Sequence, residues 1–117
     1  NNFIETIRNN MSLNQNKNPQ ILDLGKNKIK EINQSTFRYC MEHLKNIYLN
    51  QNQIEFIDEN SINFLNKLIY LDLSQNRLKN LSEKTFENTF ELSYLNLSLN
   101  KIEYIHRNLF INLLKLK

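Results

Sequence analysis

Alanine, valine and tryptophan are absent from this 117-residue chain, and glycine, proline and cysteine occur once each, as Gly25, Pro19 and Cys40. One glycine cannot build a phosphate-cradling loop, which needs several residues without side chains around the anion. One cysteine excludes an internal disulfide and a paired-thiolate metal site, and Cys40 is expected at an apolar core position, where a free thiol packs as a small hydrophobe. With no Gly-rich or Pro-rich stretch there is no internal linker, so the chain reads as one domain or part of one. No apolar run approaches the roughly 18 residues that span a membrane, and residues 1–10 lack the charged-then-apolar pattern of a signal peptide. Targeting or membrane attachment is expected only through a segment outside this chain.

Chemistry-bearing residues are equally sparse. His43 and His106 have no second His, Cys or paired carboxylate at metal spacing, and nothing resembles a nucleophilic Ser or a Cys–His pair. No catalytic residue, metal or cofactor is therefore expected. Fifteen basic and twelve acidic residues leave a net charge of +3. The two signs are interleaved along the chain, as on a solvated surface, and no nucleic-acid partner is expected.

What is present is repetition. Leu and Ile supply 32 of the 47 apolar residues, and Asn27, Asn52, Asn76 and Asn100 recur at intervals of 25, 24 and 24. Each Asn is preceded by Leu or Ile five and three places earlier and followed by Leu or Ile two and five places later, as in LDLGKNKIKEI and LDLSQNRLKNL. Pro19, Leu44, Leu68 and Leu92 open the units, and Phe37, Ile62, Phe86 and Phe110 fall eighteen residues into each. Cys40, Leu65 and Leu113 follow three later; the third unit has Thr89 in that slot and Phe90 beside it, so its outer turn is expected to shift by one residue. The frame divides the chain into a partial unit 1–18, repeats 19–43, 44–67, 68–91 and 92–115, and the start of another at 116–117.

Alternation confined to about three residues per unit, as in Leu22, Asp23 and Leu24, predicts short strands near 21–23, 46–48, 70–72 and 94–96. One unit cannot bury its inward residues. Stacked units bury them from both sides and pair the strands into one parallel sheet, at about 2 kcal/mol per large aliphatic side chain. The recurrent Asn sits where the chain leaves the strand and backbone groups lose their ladder partners, so its carboxamide, both donor and acceptor, is expected to form a hydrogen-bonded ladder along the stack.

The pattern L-x-x-L-x-L-x-x-N-x-L with a Phe-bearing second half resembles the leucine-rich repeat over nearly the whole chain. The resemblance implies an α/β solenoid, a horseshoe fragment with a parallel sheet on the concave face and loops or short helical turns on the convex face. The 24-residue length is similar to the extracellular subclass of Toll-like receptors, small leucine-rich proteoglycans and neuronal adhesion receptors. It implies a non-catalytic module of a receptor or adhesion ectodomain, at the cell surface or secreted, that binds a protein ligand or co-receptor and serves signalling in innate immunity. The outward strand positions are the candidate surface: Tyr48, Tyr70 and Tyr94, with the three rings expected about 5 Å apart on adjacent strands, then Asp23, Asp72, Asn46 and Asn96. Four N-x-[ST] sequons, at Asn10, Asn33, Asn80 and Asn96, are glycosylation candidates, against about two expected by chance. Repeats acting only as a spacer, and an intracellular scaffold, remain as alternatives. Asn2, Ile4 and Ile7 echo half a unit and Leu116 begins another, so the chain is expected to be an interior piece of a longer protein. Apolar patches are expected near Ile4 and Ile7 and near Leu113, Leu114 and Leu116, with self-association of the isolated chain as their consequence.

Overall fold

In the computed structural model the described residues are 19–38 and 42–117. The partial unit 1–18, with Asn10, Ile4 and Ile7, and the core position expected of Cys40 lie outside them. The strands in chain order are β1 (Ile21–Asp23), β2 (Glu31–Ile32), β3 (Asn46–Tyr48), β4 (Phe56–Ile57), β5 (Tyr70–Asp72) and β6 (Tyr94–Asn96), with one helix, α1 (Glu59–Ile62), between β4 and β5. The four longer strands pair as one parallel sheet in the order β1-β3-β5-β6, at the positions where the sequence alternates. Register is in step with the repeat: Ile21, Asn46, Tyr70 and Tyr94 form one outward row, and Asp23, Tyr48, Asp72 and Asn96 the other. Between the rows Leu22, Ile47 and Leu71 point inward and are buried.

The strands stop after three residues because the backbone turns a corner. Lys26, Gln51, Gln75 and Leu99 adopt positive φ of 57°, 57°, 55° and 54°. None is glycine, and the left-handed region costs a residue with a side chain on the order of 1–2 kcal/mol, so the corner must be held by something else. The next residue is the recurrent Asn. The Nδ2 of Asn76 donates to Leu73 O (3.0 Å) on its own strand and to Leu49 O (2.9 Å) on the preceding one, and its Oδ1 accepts from Ile54 N at 3.0 Å. Asn52 and Asn100 repeat the arrangement, donating to Leu24 O and Leu73 O across the stack at 2.9 Å each and accepting from Ile29 N and Leu78 N. Each carboxamide thus closes its own corner and ties it to the neighbouring one. Beyond the corner a second register of backbone bonds runs between units, including Gln53 N to Ile29 O and Arg77 N to Ile54 O. It produces the two-residue parallel pair β2-β4.

On the outer side the chain returns through tight turns with i to i+3 bonds, such as Thr36 N to Asn33 O, Thr85 N to Ser82 O and Leu109 N to His106 O. Each of these turns has a polar cap. Asn33, Asp58, Ser82 and His106 accept from the backbone N–H two residues on, at 3.0, 2.8, 3.3 and 3.2 Å. Only the Asp58 turn extends to a helix, α1; a carboxylate is the strongest of the four acceptors and also complements the helix N-terminus.

Two expectations are corrected here. The third outer turn is not shifted. Thr89 fills the slot of Leu65 and Leu113, fully buried, with its hydroxyl donating to Phe86 O at 3.1 Å, and Phe90 is turned outward. A hydroxyl that bonds back to its own turn can enter an apolar slot, whereas a ring cannot fit a space shaped for Leu. Leu113 is likewise buried, at 6% exposure, because it packs beneath the outer turn; of the apolar residues near it Leu114 is exposed and Leu116 half-buried. The inward positions of the last unit follow a gradient, with Leu95, Leu97 and Ile102 partly buried and Ile105 exposed, since no further turn packs on their outer side.

Two substitutions separate polar groups that hold the core from those it tolerates. Asn76→Leu strips Ile54 N–H of its only acceptor in a buried setting, and is expected to lower stability by about 1–3 kcal/mol. Thr85→Val removes a buried hydroxyl that has no hydrogen-bond partner in the protein, and is expected to leave stability unchanged or higher. Thermal melts of the two variants beside the parent chain read both.

Candidate functional site

Outward residues of a short parallel strand are available for binding only if the fold does not already use them. Three of the candidates are used in part. Asp23 Oδ1 accepts from Gly25 N at 3.0 Å, Asp72 Oδ1 from Ser74 N at 2.9 Å and Asn96 Oδ1 from Ser98 N at 3.0 Å. These bonds pin the exit of each strand, so Asp23, Asp72 and Asn96 are turn residues as well as surface residues. Gly25 fits the same pattern for a steric reason: a Cβ there would lie 2.8 Å from Oδ1 of Asn50 in the adjoining unit.

The tyrosines have no such duty. Tyr70 and Tyr94 are cross-strand partners, and their rings stack flat, 4.3 Å apart with an interplanar angle of 2°. Tyr48 belongs to the other row, opposite Asp23 and Asp72, and meets Tyr70 diagonally at 5.0 Å with a 40° tilt. The three rings form a continuous strip across β3, β5 and β6, with Asn46 beside Tyr70 and Ile21 exposed at the far edge of its row. Tyr94 is 43% exposed, and the other two rings are half-buried against one another.

Crowding sets the acid–base character of the central ring. Desolvation pushes the Tyr70 phenol up to about 12; its hydrogen bond with Tyr94 and the nearby Tyr94, Asp72 and Tyr48 groups add to the rise. The neutral phenol is favoured because an anion there would lose water and face a carboxylate.

The remaining polar candidates are dispersed. Asn33 caps an outer turn and is half-buried; Asn80 is exposed on the outer side beside Phe56 and Ser82; Asn96 lies on the sheet itself. Asn10 lies outside the described residues. His43 and His106 are far apart in sequence and half-buried, and among the described residues no group of three or more His, Cys, Asp or Glu is placed to hold a metal ion. Among the described residues no helix is long and apolar enough to cross a membrane. The periodic cap at Asn33, Asp58, Ser82 and His106 is a structural feature missing from the sequence reading. Its only sequence signal is a polar residue every 24 or 25 positions, masked by the change of residue type.

The comparisons with known proteins agree with this geometry. The family model described as "Leucine rich repeat" matches residues 17–78 and 67–117. No curated protein matches the chain. Among solved structures, the chain is similar to a chain in the crystal structure of a TLR13-ssRNA13 complex, with 35% identity and a TM-score of 0.76, over 84% of this chain and 14% of that one. The chain thus spans about one-seventh of the length of that receptor chain.

The Tyr70 shift has a measurable consequence. In the unfolded chain the phenol returns to its ordinary value near 10. The native state binds this proton more tightly, so the contribution to stability is complete below pH 10 and is lost as pH rises through about 12. An alkaline titration followed by tyrosinate absorbance is expected to contain one late component, and Tyr70→Phe is expected to remove it.

Proposed function

The chain belongs to the leucine-rich repeat family, and we propose that it is a non-catalytic protein-binding segment of a Toll-like-receptor-type ectodomain, with the concave strip of Tyr48, Tyr70 and Tyr94 as its contact surface. The units 19–43, 44–67, 68–91 and 92–115 then act as four successive ribs, each displaying two outward side chains. The observation that carries this reading is the tyrosine strip itself: three large aromatic side chains, contiguous across three strands, that cap no turn and fill no core. Tyrosine offers broad contact area at low entropic cost and is enriched where interfaces are energetically concentrated.

Similarity to the receptor chain supports the receptor reading and an extracellular or cell-surface location. The sequons add to it. Asn80, exposed on the outer side, is the favoured glycosylation site and Asn33 the next. Asn96 cannot serve both roles proposed for it, since a sugar there would cover the neighbouring Tyr94, and the binding role is preferred. The partner is a protein ligand or co-receptor. The similar receptor chain was crystallised with RNA, but a phosphate backbone on this sheet would meet Asp23 and Asp72 with no Lys or Arg among the eight outward positions. Nucleic acid is therefore not favoured.

A random-peptide phage library selected on the chain, then re-tested on the Tyr70→Ala, Tyr94→Ala double variant, tests the surface. Bound peptides are expected to lose about tenfold or more in affinity, the cost of truncating a central aromatic pair. Repeats that serve only as a spacer would yield peptides indifferent to the two changes. Mapping of sugars on protein secreted from animal cells tests the location, with occupancy expected at Asn80 and not at Asn96.

A further inference from the structure

The charge of the concave strip is opposite to that of the chain. Net charge is +3 overall, yet the only ionisable groups among the eight outward positions, apart from the phenols, are Asp23 and Asp72. Lys26 and Lys45 stand at the rims, one past the end of β1 and the other before β3. Two basic side chains elsewhere pair acids between neighbouring units: Arg77 with Glu55 at 3.8 Å and Lys115 with Glu91 at 2.6 Å. Neither Asp23 nor Asp72 has such a partner among the described residues. Each spends one carboxylate oxygen on a turn amide and leaves the other without a protein donor.

Asp72 is the better placed of the two. It lies beside Tyr48 across the strand pair and two residues from Tyr70 along its own strand, and its charge is felt at the Tyr70 phenol. The 40° tilt between Tyr48 and Tyr70 keeps those rings from closing face to face, unlike the flat Tyr70–Tyr94 pair. An anionic oxygen next to partly uncovered aromatic faces suits a planar cation, which can donate N–H bonds to the carboxylate from its edge and lie along a ring with its face. An ammonium would keep more of its water and make only a point contact.

We propose that Asp72, Tyr48 and Tyr70 form a clamp for the guanidinium of an exposed arginine on a protein partner. The assignment rests on the concave-face reading above and adds the chemistry of the ligand to it.

The probes are acetyl-Gly-Arg-Gly-amide and its lysine and citrulline counterparts, titrated into the full chain and followed by the tyrosine ring resonances. Citrulline keeps the shape of arginine without its charge. The arginine peptide is expected to bind about three- to tenfold more tightly than citrulline and more tightly than lysine, with shifts at Tyr48 and Tyr70. Asp72→Asn is expected to abolish the preference for arginine over citrulline. The variant keeps an acceptor for Ser74 N, as Asn96 does for Ser98 N, so its melting temperature serves as the check that the turn is intact. Equal binding of arginine and citrulline, equal binding of arginine and lysine, an unchanged preference in Asp72→Asn, or a single-stranded RNA oligonucleotide moving the same rings would each overturn the clamp. Library peptides that depend on Tyr70 and Tyr94 but show no preference for arginine would overturn it while leaving the concave-face reading intact.

Discussion

A carboxamide that bonds back to its own strand and sideways to the neighbouring turn is the contact on which the rest of this structure depends. The chain must leave a three-residue strand through a left-handed corner occupied by Lys26, Gln51, Gln75 or Leu99, none of which favours that conformation. The corner is stable because the following Asn satisfies the carbonyls that the turn leaves without strand partners. The shared carbonyls make the arrangement cooperative. Leu49 O accepts from both Asn52 and Asn76, and Leu73 O from both Asn76 and Asn100, so each corner is completed only when the next one is present. The apolar layers obey the same rule by a different force, since Ile47, Leu71 and their equivalents reach full burial only between two turns.

With the corner fixed by backbone and carboxamide, the outward side chains are released from the task of holding the strand. That release is partial. The second outward position carries Asp23, Asp72 and Asn96, whose oxygens bond the amide two residues on, whereas Tyr48 in the same position has no such oxygen and its unit still turns identically. The bond is therefore an aid to the turn and not a condition for it. The first outward position is free of any such duty, which is why Ile21, Asn46, Tyr70 and Tyr94 can differ so widely without disturbing register.

The four long strands and the inward layers were legible in the sequence, because burial from both sides enforces Leu or Ile at every inward slot and leaves a period that composition cannot hide. The recurrent Asn was legible for the same reason. The outer side was not. Its caps at Asn33, Asp58, Ser82 and His106 need only an acceptor of the right reach, so four residue types share one job and no motif survives. The β2-β4 pair was missed because a two-residue strand offers no alternation to detect. At Thr89 the apolar rule misleads, since a self-bonded hydroxyl passes for a small hydrophobe and Phe90 is left outside. The alternation in sequence already puts Tyr48 in one outward row and Tyr70 and Tyr94 in the other, but how the rings meet, flat for Tyr70–Tyr94 and tilted for Tyr48–Tyr70, is set by ring orientation, which no residue pattern encodes.

That difference in row has a chemical effect no single strand displays. Two tyrosines in one row close on each other and spend one face each; a third in the other row sits beside a carboxylate and meets its neighbour only at a tilt. A stack with in-step register therefore converts a choice of residue at alternate positions into a two-dimensional pattern, here an aromatic strip bordered by acid in a chain that is basic elsewhere. Inter-unit pairs such as Arg77 with Glu55 lie off this sheet, where they can join neighbouring turns without crossing the outward rows. Placing such a pair on the concave face would neutralise Asp72 within the chain, and the sheet would lose one of its two outward carboxylate charges.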